Sequence, residues 1–332
     1  MPNKTTDVTG IGNAIVDVIS RTDDAFLADN VIEKGAMNLV DAERSSHIYE
    51  RMGPGIEMSG GSAANTIVGL AGFGGNGAFI GKVRDDSFGK VFRHDITAAG
   101  VRFDTANSTS GPPTASCLVL VTPDAQRSMN THLGACVDLG PEDVDEDLIK
   151  SSKVVYLEGY LWDPPRAKEA FLKAAAIAHA SGGLVSLSLS DPFCVGRHRS
   201  EFRELVEHHV DILFANEDEI ISLYEASDFD AALQAVRGHC QTVALTRGAK
   251  GSVVLSDDEV HVLDAEKADR VVDTTGAGDL YAAGFLHGFT RSEDPARCGR
   301  LGGIAAAEVI SHFGARPETD LKTLAKTILG DT

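Results

Sequence analysis

The chain has 332 residues, 43% of them hydrophobic, enough for a sizeable core in one large α/β domain or two smaller ones. Its 49 acidic residues outnumber 30 basic ones, for a formal net charge of −19. That charge argues against non-specific nucleic-acid binding, which needs a basic face, but not against a phosphate ligand held by local backbone donors. In chain order, Val8–Val18 reads as a strand with polar interruptions, and Thr66–Phe73 as a helix behind a Gly-Gly-Ser. Val154–Leu157 is a buried strand, Lys168–Ala180 an Ala-rich helix, Leu184–Leu189 and Ile212–Phe214 strands, and Glu217–Tyr224 a helix. Thr242–Leu245 and Ser252–Leu255 are strands joined by a glycine turn, and Gly276–Phe289 and Ala296–His312 are helices. Such alternation from about residue 150 implies a mostly parallel sheet covered on both faces.

Residues 14–41 and 102–130 follow another pattern. Val101–Phe103, Ala115–Val121 and Arg127–Thr131 are strand-like and joined by turns such as Ser108–Pro113, with no helix between them. They suggest a small antiparallel sheet set apart from the main layer, either a lid over a cleft or an edge extension. The five cysteines (Cys117, Cys136, Cys194, Cys240, Cys298) form no CxxC pair, so no zinc site or disulfide framework is indicated. The polar start lacks the apolar core of a secretory leader, and no stretch approaches the length of a membrane span; a cytoplasmic location is expected.

Val271-Val272-Asp273-Thr274-Thr275-Gly276-Ala277-Gly278-Asp279 is the most informative stretch. A strand ending near Val272 would deliver small residues to a helix start, where exposed N–H groups and the dipole favour an anion. Gly276, Ala277 and Gly278 could cradle a phosphoryl group, and Asp279 in the first turn could take a proton from an attacking hydroxyl. The alternative is an acid that merely stabilises its own helix. Gly75–Lys82 is not a Walker loop, since Asn76 stands where glycine is needed and Val83 follows the lysine. A second cluster, Ser59-Gly60-Gly61-Ser62-Ala63-Ala64-Asn65, permits close approach to backbone, and Asn65 suits sugar hydroxyls; the alternative is a helix capped by Ser59 or Ser62. Asn13 and Asp17 are further polar ligand candidates or turn residues. Thr246-Arg247-Gly248-Ala249-Lys250-Gly251 reads as a hairpin turn between two strands, and Asn216-Glu217-Asp218-Glu219 as a charged helix start or a site for hydrated Mg²⁺.

Together these segments resemble the PfkB, or ribokinase-like, family of sugar and nucleoside kinases, from Gly10-Ile11-Gly12-Asn13 to Gly314-Ala315. The resemblance rests on Gly60–Asn65 running to Gly81–Gly89, on Asp273–Asp279, and on Asn216 with Glu219 in an Asn-x-x-Glu pattern. It implies a three-layer α/β/α sandwich with a mostly parallel central sheet and a small β-sheet lid. One unit would span 1–332, with the lid at about 14–41 and 102–130 and the ATP site at about 210–315. It further implies Asp279 as general base, Gly276, Ala277 and Gly278 as anion hole, and Asn216 and Glu219 near Mg²⁺. Thr246, Gly248 and Gly251 would lie along ATP, and carbonyls of Asp273 and Thr275, with the Ser311–Arg316 turn, around a monovalent cation such as K⁺.

Within the family the chain is most similar to the adenosine kinases. Asn13, Asp17, Gly60, Gly61 and Asn65 match the ribose-holding positions, and Arg127–Ala135 matches a segment whose arginine closes over the phosphates, although His132 and Leu280-Tyr281 depart from the pattern. Met37, Leu133, Tyr160 and Trp162 are candidate walls for a purine. The expected activity is ATP-dependent phosphorylation of the 5′-hydroxyl of adenosine, by a monomer or homodimer with no nucleic-acid or membrane partner. The rivals are a kinase for a free sugar or for inosine or guanosine, and a non-catalytic nucleoside sensor. A dinucleotide dehydrogenase is disfavoured because Gly10–Ile15 lacks the last glycine of a GxGxxG.

Overall fold

The computed structural model describes residues 4–124, 126–257 and 259–330. Among these, the main sheet has eight strands, in spatial order Glu259–Leu263, Ser252–Ser256, Thr242–Thr246, Ile212–Asn216, Leu184–Ser188, Ser152–Glu158, Thr6–Ile11 and Gly77–Ile80. The last six pair in parallel, and the first two form an antiparallel extension at one edge. Two apolar cores cover the two faces. One holds Phe171, Phe202 and Leu223 from the helices Pro165–Ala180, Pro192–His208 and Glu217–Tyr224. The other holds Ile67 and Phe285 from the helices Ser62–Gly72 and Ala277–Phe289. The central strands Val154–Leu157 and Ile212–Ala215 are apolar runs because both of their faces are buried.

A smaller five-stranded sheet has the order Met37–Leu39, Arg127–His132, Ala115–Val121, Ile15–Arg21 and Gly55–Gly60. Three readings change here. Val8–Val18 is two strands in different sheets, broken at Gly12-Asn13-Ala14, where Gly12 lies against Glu158 and leaves no room for a side chain. The smaller sheet is mixed, since Ile15–Arg21 pairs in parallel with Ala115–Val121 and antiparallel with Gly55–Gly60. Val101–Phe103 belongs to the main body, where Arg102 bridges the edge strand at Ala78.

One face of the smaller sheet packs Val16, Val18, Leu118 and Leu120 into the second core. Strand alternation turns Asp17 to the other face, and register sets it beside Cys117 and Thr131.

Candidate functional site

The site gathers at the carboxyl ends of the parallel strands, where open α/β sheets bind ligands. The helices Ser62–Gly72 and Ala277–Phe289 start there and pack closely along their length. A Cβ at Gly69 would stand 2.6 Å from Leu280 Cδ1 and 2.8 Å from Ala283 Cβ, so only glycine admits this approach. The packing brings both helix N-termini into one cleft. Most helices in this chain are capped by an Asp or Asn side chain, among them Asp86, Asp191, Asn216 and Asp294. The two that begin after Gly61 and Gly276 have no capping side chain at their N-cap; in the first, the Ala63 amide is taken by Glu158 instead.

Asp279 sits between them, partly exposed rather than sealed in apolar packing. Its Oδ1 accepts from Ser62 Oγ at 2.6 Å and its Oδ2 from Asn65 Nδ2 at 2.9 Å. Loss of hydration raises its pKa, against the pull of those two donors and of the nearby Arg316 charge. Asn65 is 5% exposed, and its Oδ1 is buried without a partner, an acceptor aimed at nothing in the protein. Ser62 was read only as a possible helix cap; here it orients the carboxylate instead.

The glycines of the second cluster are required by the first strand's exit. A Cβ on Gly61 would lie 2.1 Å from Asn13 O, and Gly61 has φ +96°. A Cβ on Gly60 would lie 2.3 Å from Asp17 Oδ2. Asn13 and Asp17 therefore press directly on the loop that carries Ser62 and Asn65. The Asp17 carboxylate makes no hydrogen bond among the described residues; burial lifts its pKa to about 6, with Arg316 and Arg127 opposing. Asn13 is 2% exposed and is held by a residue the sequence reading missed, Glu158. Asn13 Nδ2 donates to Glu158 Oε1 at 2.5 Å, and Ala63 N donates to Glu158 Oε2 at 2.8 Å. Burial raises the Glu158 pKa to about 7. Its signal was a lone Glu closing the apolar run Val154–Leu157.

No strand leads into Gly276. Val272 and Asp273 instead hang on the Ile310 carbonyl, at 2.8 and 3.3 Å, so the approach is a loop bound to the end of the helix Pro295–Val309. Asp273 organises it: Oδ1 accepts from Thr275 N and Oγ1 at 3.0 and 2.7 Å, and Oδ2 accepts from Gly314 N at 3.0 Å and from Arg127 Nη1. Arg127, on the smaller sheet, also donates to Thr275 Oγ1 at 2.9 Å. Gly276 takes φ +77° with its Cα against Ala315, whereas a Cβ on Gly278 would meet nothing within 4 Å. The cradle is thus rigid at its back and open at its mouth.

At the end of Ile212–Asn216, Asn216 and Glu219 form a reciprocal capping box, with Asn216 N and Nδ2 donating to the two Glu219 oxygens at 2.9 and 2.6 Å. Burial raises the Glu219 pKa to about 7. Thr246 ends the adjacent strand in register with Asn216. Gly248 faces open space, while Gly251, at φ +84°, packs where a Cβ would strike Leu263 O at 2.0 Å. Gly251 is therefore a hairpin requirement. Tyr160 is 37% exposed; loss of hydration raises its pKa, with a further push from the charges of Asp191, Asp279 and Glu219 nearby. Trp162 is not a wall: it is 4% exposed, packed on Phe171 and Phe202. Tyr281 is buried with its hydroxyl on Ser252 Oγ, and Leu280 is core, so the Leu280-Tyr281 departure from the family pattern lies outside the cleft.

A surface groove of about 700 Å³ lies elsewhere along Pro192–His208; its Arg197 and Arg199 are paired with Asp163 and Glu225. Among the described residues no group of three His, Cys, Asp or Glu side chains could hold a metal ion, and no helix is long and apolar enough to cross a membrane.

This architecture is the ribokinase-like α/β fold. An adenosine kinase from Sinorhizobium meliloti is 53% identical, with a TM-score of 0.90 over 97% of this chain and 99% of that one. A probable sugar kinase from Rhizobium etli CFN 42 is 51% identical, with a TM-score of 0.91 over 98% and 99%. The ATP-dependent ribose-1-phosphate kinase of Halopiger xanaduensis is 31% identical over 268 residues, 78% of this chain and 83% of that one. Residues 56–322 match the pfkB family of carbohydrate kinases, and the chain belongs to that family, enzymes that phosphorylate hydroxyl groups at the expense of ATP.

Proposed function

We propose that the chain transfers the γ-phosphoryl group of ATP to the 5′-hydroxyl of adenosine, giving AMP and ADP. The observation that carries this reading is the Asp279 carboxylate, held by Ser62 and Asn65 at the mouth of an uncapped helix. Asp279 accepts the hydroxyl proton as the oxygen attacks phosphorus in line, and the amides of Gly276, Ala277 and Gly278 stabilise the charge on the transferred group. Asn13, Asp17, Gly60, Gly61 and Asn65 hold the ribose: Asn65 Oδ1 is a buried acceptor without a partner among the described residues, and the Asp17 carboxylate, on the smaller sheet, lies against Gly60. A nucleoside is favoured because Asp17 shares its face of the smaller sheet with Ile15, Ile19, Val119 and Met129, an apolar lining suited to a base. Tyr160 offers a ring at the same cleft.

Arg127 moves from Asp273 to the phosphates as the smaller sheet closes as a lid and excludes water. Thr246 and Gly248 lie along ATP. Mg²⁺ fits Asn216 and Glu219 through its own waters, since both Glu219 oxygens already accept from Asn216; when bound, it neutralises phosphate charge. For K⁺, the main-chain carbonyls of Asp273 and Thr275 remain, because the Asp273 carboxylate is already engaged. A purine-salvage role in a reducing cytoplasm accords with five free thiols.

The second reading, a free-sugar kinase, is favoured by the likeness to the Rhizobium etli protein. ADP release with ATP and Mg²⁺ against adenosine, inosine, guanosine, ribose, fructose and ribose 1-phosphate separates the two. Adenosine is expected to lead by about 100-fold or more in kcat/KM; a sugar ahead of every nucleoside overturns the proposal.

A further inference from the structure

Arg316 ends the Ser311–Arg316 turn beyond the helix Pro295–Val309, far in sequence from the glycine loop it contacts. Its Nε and Nη2 donate to Ser59 O at 3.1 and 2.7 Å, its Nη2 also to Ser59 Oγ at 2.9 Å, and its Nη1 to Ala64 O at 3.0 Å. Ser59 and Ala64 flank Gly60-Gly61-Ser62-Ala63, so one planar guanidinium spans both ends of the glycine loop. Ser59 in turn donates through its N–H, at 2.8 Å, and its hydroxyl to Asp95 Oδ2 on the helix Ser87–Ala98. That helix packs against the smaller sheet. The three-residue bridge therefore joins the C-terminal turn, the glycine loop and the body under the smaller sheet.

All four of these bonds go to neutral oxygens, although the carboxylates of Asp17, Asp95 and Asp279 are near enough to act on the charge. A half-buried cation placed on carbonyls when carboxylates are close is a geometric device: a forked donor fixes two backbone positions relative to each other. A lysine, with a point charge, cannot span them. What hangs on the spanned segment is Ser62, with Asn65 immediately beyond it, the two residues that orient Asp279.

We propose that Arg316 is a positioning residue for the acceptor subsite, setting the glycine loop so that Ser62 and Asn65 aim Asp279 at the hydroxyl. The inference rests on the reading of Asp279 as base and of Asp17 and Asn65 as acceptor ligands.

The test compares Arg316→Met, Arg316→Lys and Ser59→Ala with the parent in two readouts. The first is amide hydrogen exchange of residues 59–65 in the ligand-free protein, which needs no substrate. The second is the KM for ATP against the KM for the acceptor that the parent turns over fastest. Arg316→Met is expected to speed exchange across this loop by about tenfold or more and to raise the acceptor KM by about tenfold or more, with the ATP KM within about threefold. Arg316→Lys, keeping the charge without the fork, is expected to fall between. Unchanged exchange, or acceptor and ATP KM rising together with no recovery in Arg316→Lys, overturns the proposal. Should Arg316→Met fail to fold, Ser59→Ala decides: it removes one bond of the fork and is expected to raise the acceptor KM about threefold with faster loop exchange, and parent-like values in both overturn the proposal. A parent that phosphorylates no nucleoside or sugar defeats the base reading, while the exchange experiment still decides the role of Arg316.

Discussion

Ser62 Oγ stands 2.6 Å from Asp279 Oδ1, although 217 positions separate the two residues in the chain. The contact couples the two uncapped helix starts, and with them the two halves of the proposed reaction: the loop that holds the acceptor and the cradle that holds the phosphoryl group. Removing the serine hydroxyl takes away a donor that favours the charged carboxylate, so the Asp279 pKa, already raised by burial, rises further. In Ser62→Ala the acidic limb of kcat/KM is expected to move up by about one pH unit, with turnover on the plateau falling less than about tenfold. An unmoved limb in the pH–rate profile would separate Ser62 from the titrating group.

Arg127 and Asp273 join the smaller sheet to the cradle with side chains only 12% and 6% exposed. Arg127→Met leaves the Asp273 carboxylate with Thr275 and Gly314 alone. A loss of about 1–3 kcal/mol in urea unfolding is expected, together with a drop in turnover of about tenfold or more. Parent-like turnover would show that the arginine ties the sheet down without serving the phosphates.

Two glycines should separate fold from chemistry. Gly61→Ala combines a left-handed φ with a clash on Asn13 O and is expected to cost about 2–4 kcal/mol. Gly278→Ala meets open space in a helical first turn, so its stability should stay within about 0.5 kcal/mol of the parent. The added methyl narrows the cradle mouth, and turnover is expected to fall about tenfold. Equal effects of the two substitutions on thermal melting would contradict the geometry.

Glu158 carries a pH signature of stability. Its carboxyl titrates near 4.5 when unfolded and near 7 in the fold, so between those values the folded state binds the extra proton. Its contribution is complete below about pH 4.5 and declines as the pH rises to about 7. Between pH 5 and pH 8 the parent is expected to lose about 1–3 kcal/mol more stability than Glu158→Gln, measured by urea unfolding. Parallel pH dependences would mean that Glu158 is ionised in the fold throughout.

Much of this site was legible because glycine-rich helix starts are local chemistry. Gly60–Asn65 and Asp273–Asp279 carry their backbone requirement in their own letters, and strand–helix alternation after residue 150 follows from strands buried on both faces. What escaped was set by packing over long distances. Glu158 sits in an apolar strand and becomes meaningful only when Asn13 and Ala63 fold against it. Arg316 is an ordinary surface cation until the C-terminal turn docks on Ser59 and Ala64. The strand Gly55–Gly60, with two glycines, a methionine and a serine, lacks the β-branched pattern of a strand and is held by pairing with Ile15–Arg21. The loop before Gly276 looked like a strand because Val271-Val272 is β-branched, yet its hydrogen bonds go to Ile310.

The most direct test of the proposed chemistry is Asp279→Asn, which keeps one acceptor oxygen for Ser62 or Asn65 while losing the proton affinity of the carboxylate. Turnover with ATP and adenosine is expected to fall about 100-fold or more, with adenosine Kd by calorimetry within about threefold of the parent. Turnover within a few fold of the parent would contradict the assignment of Asp279 as the base.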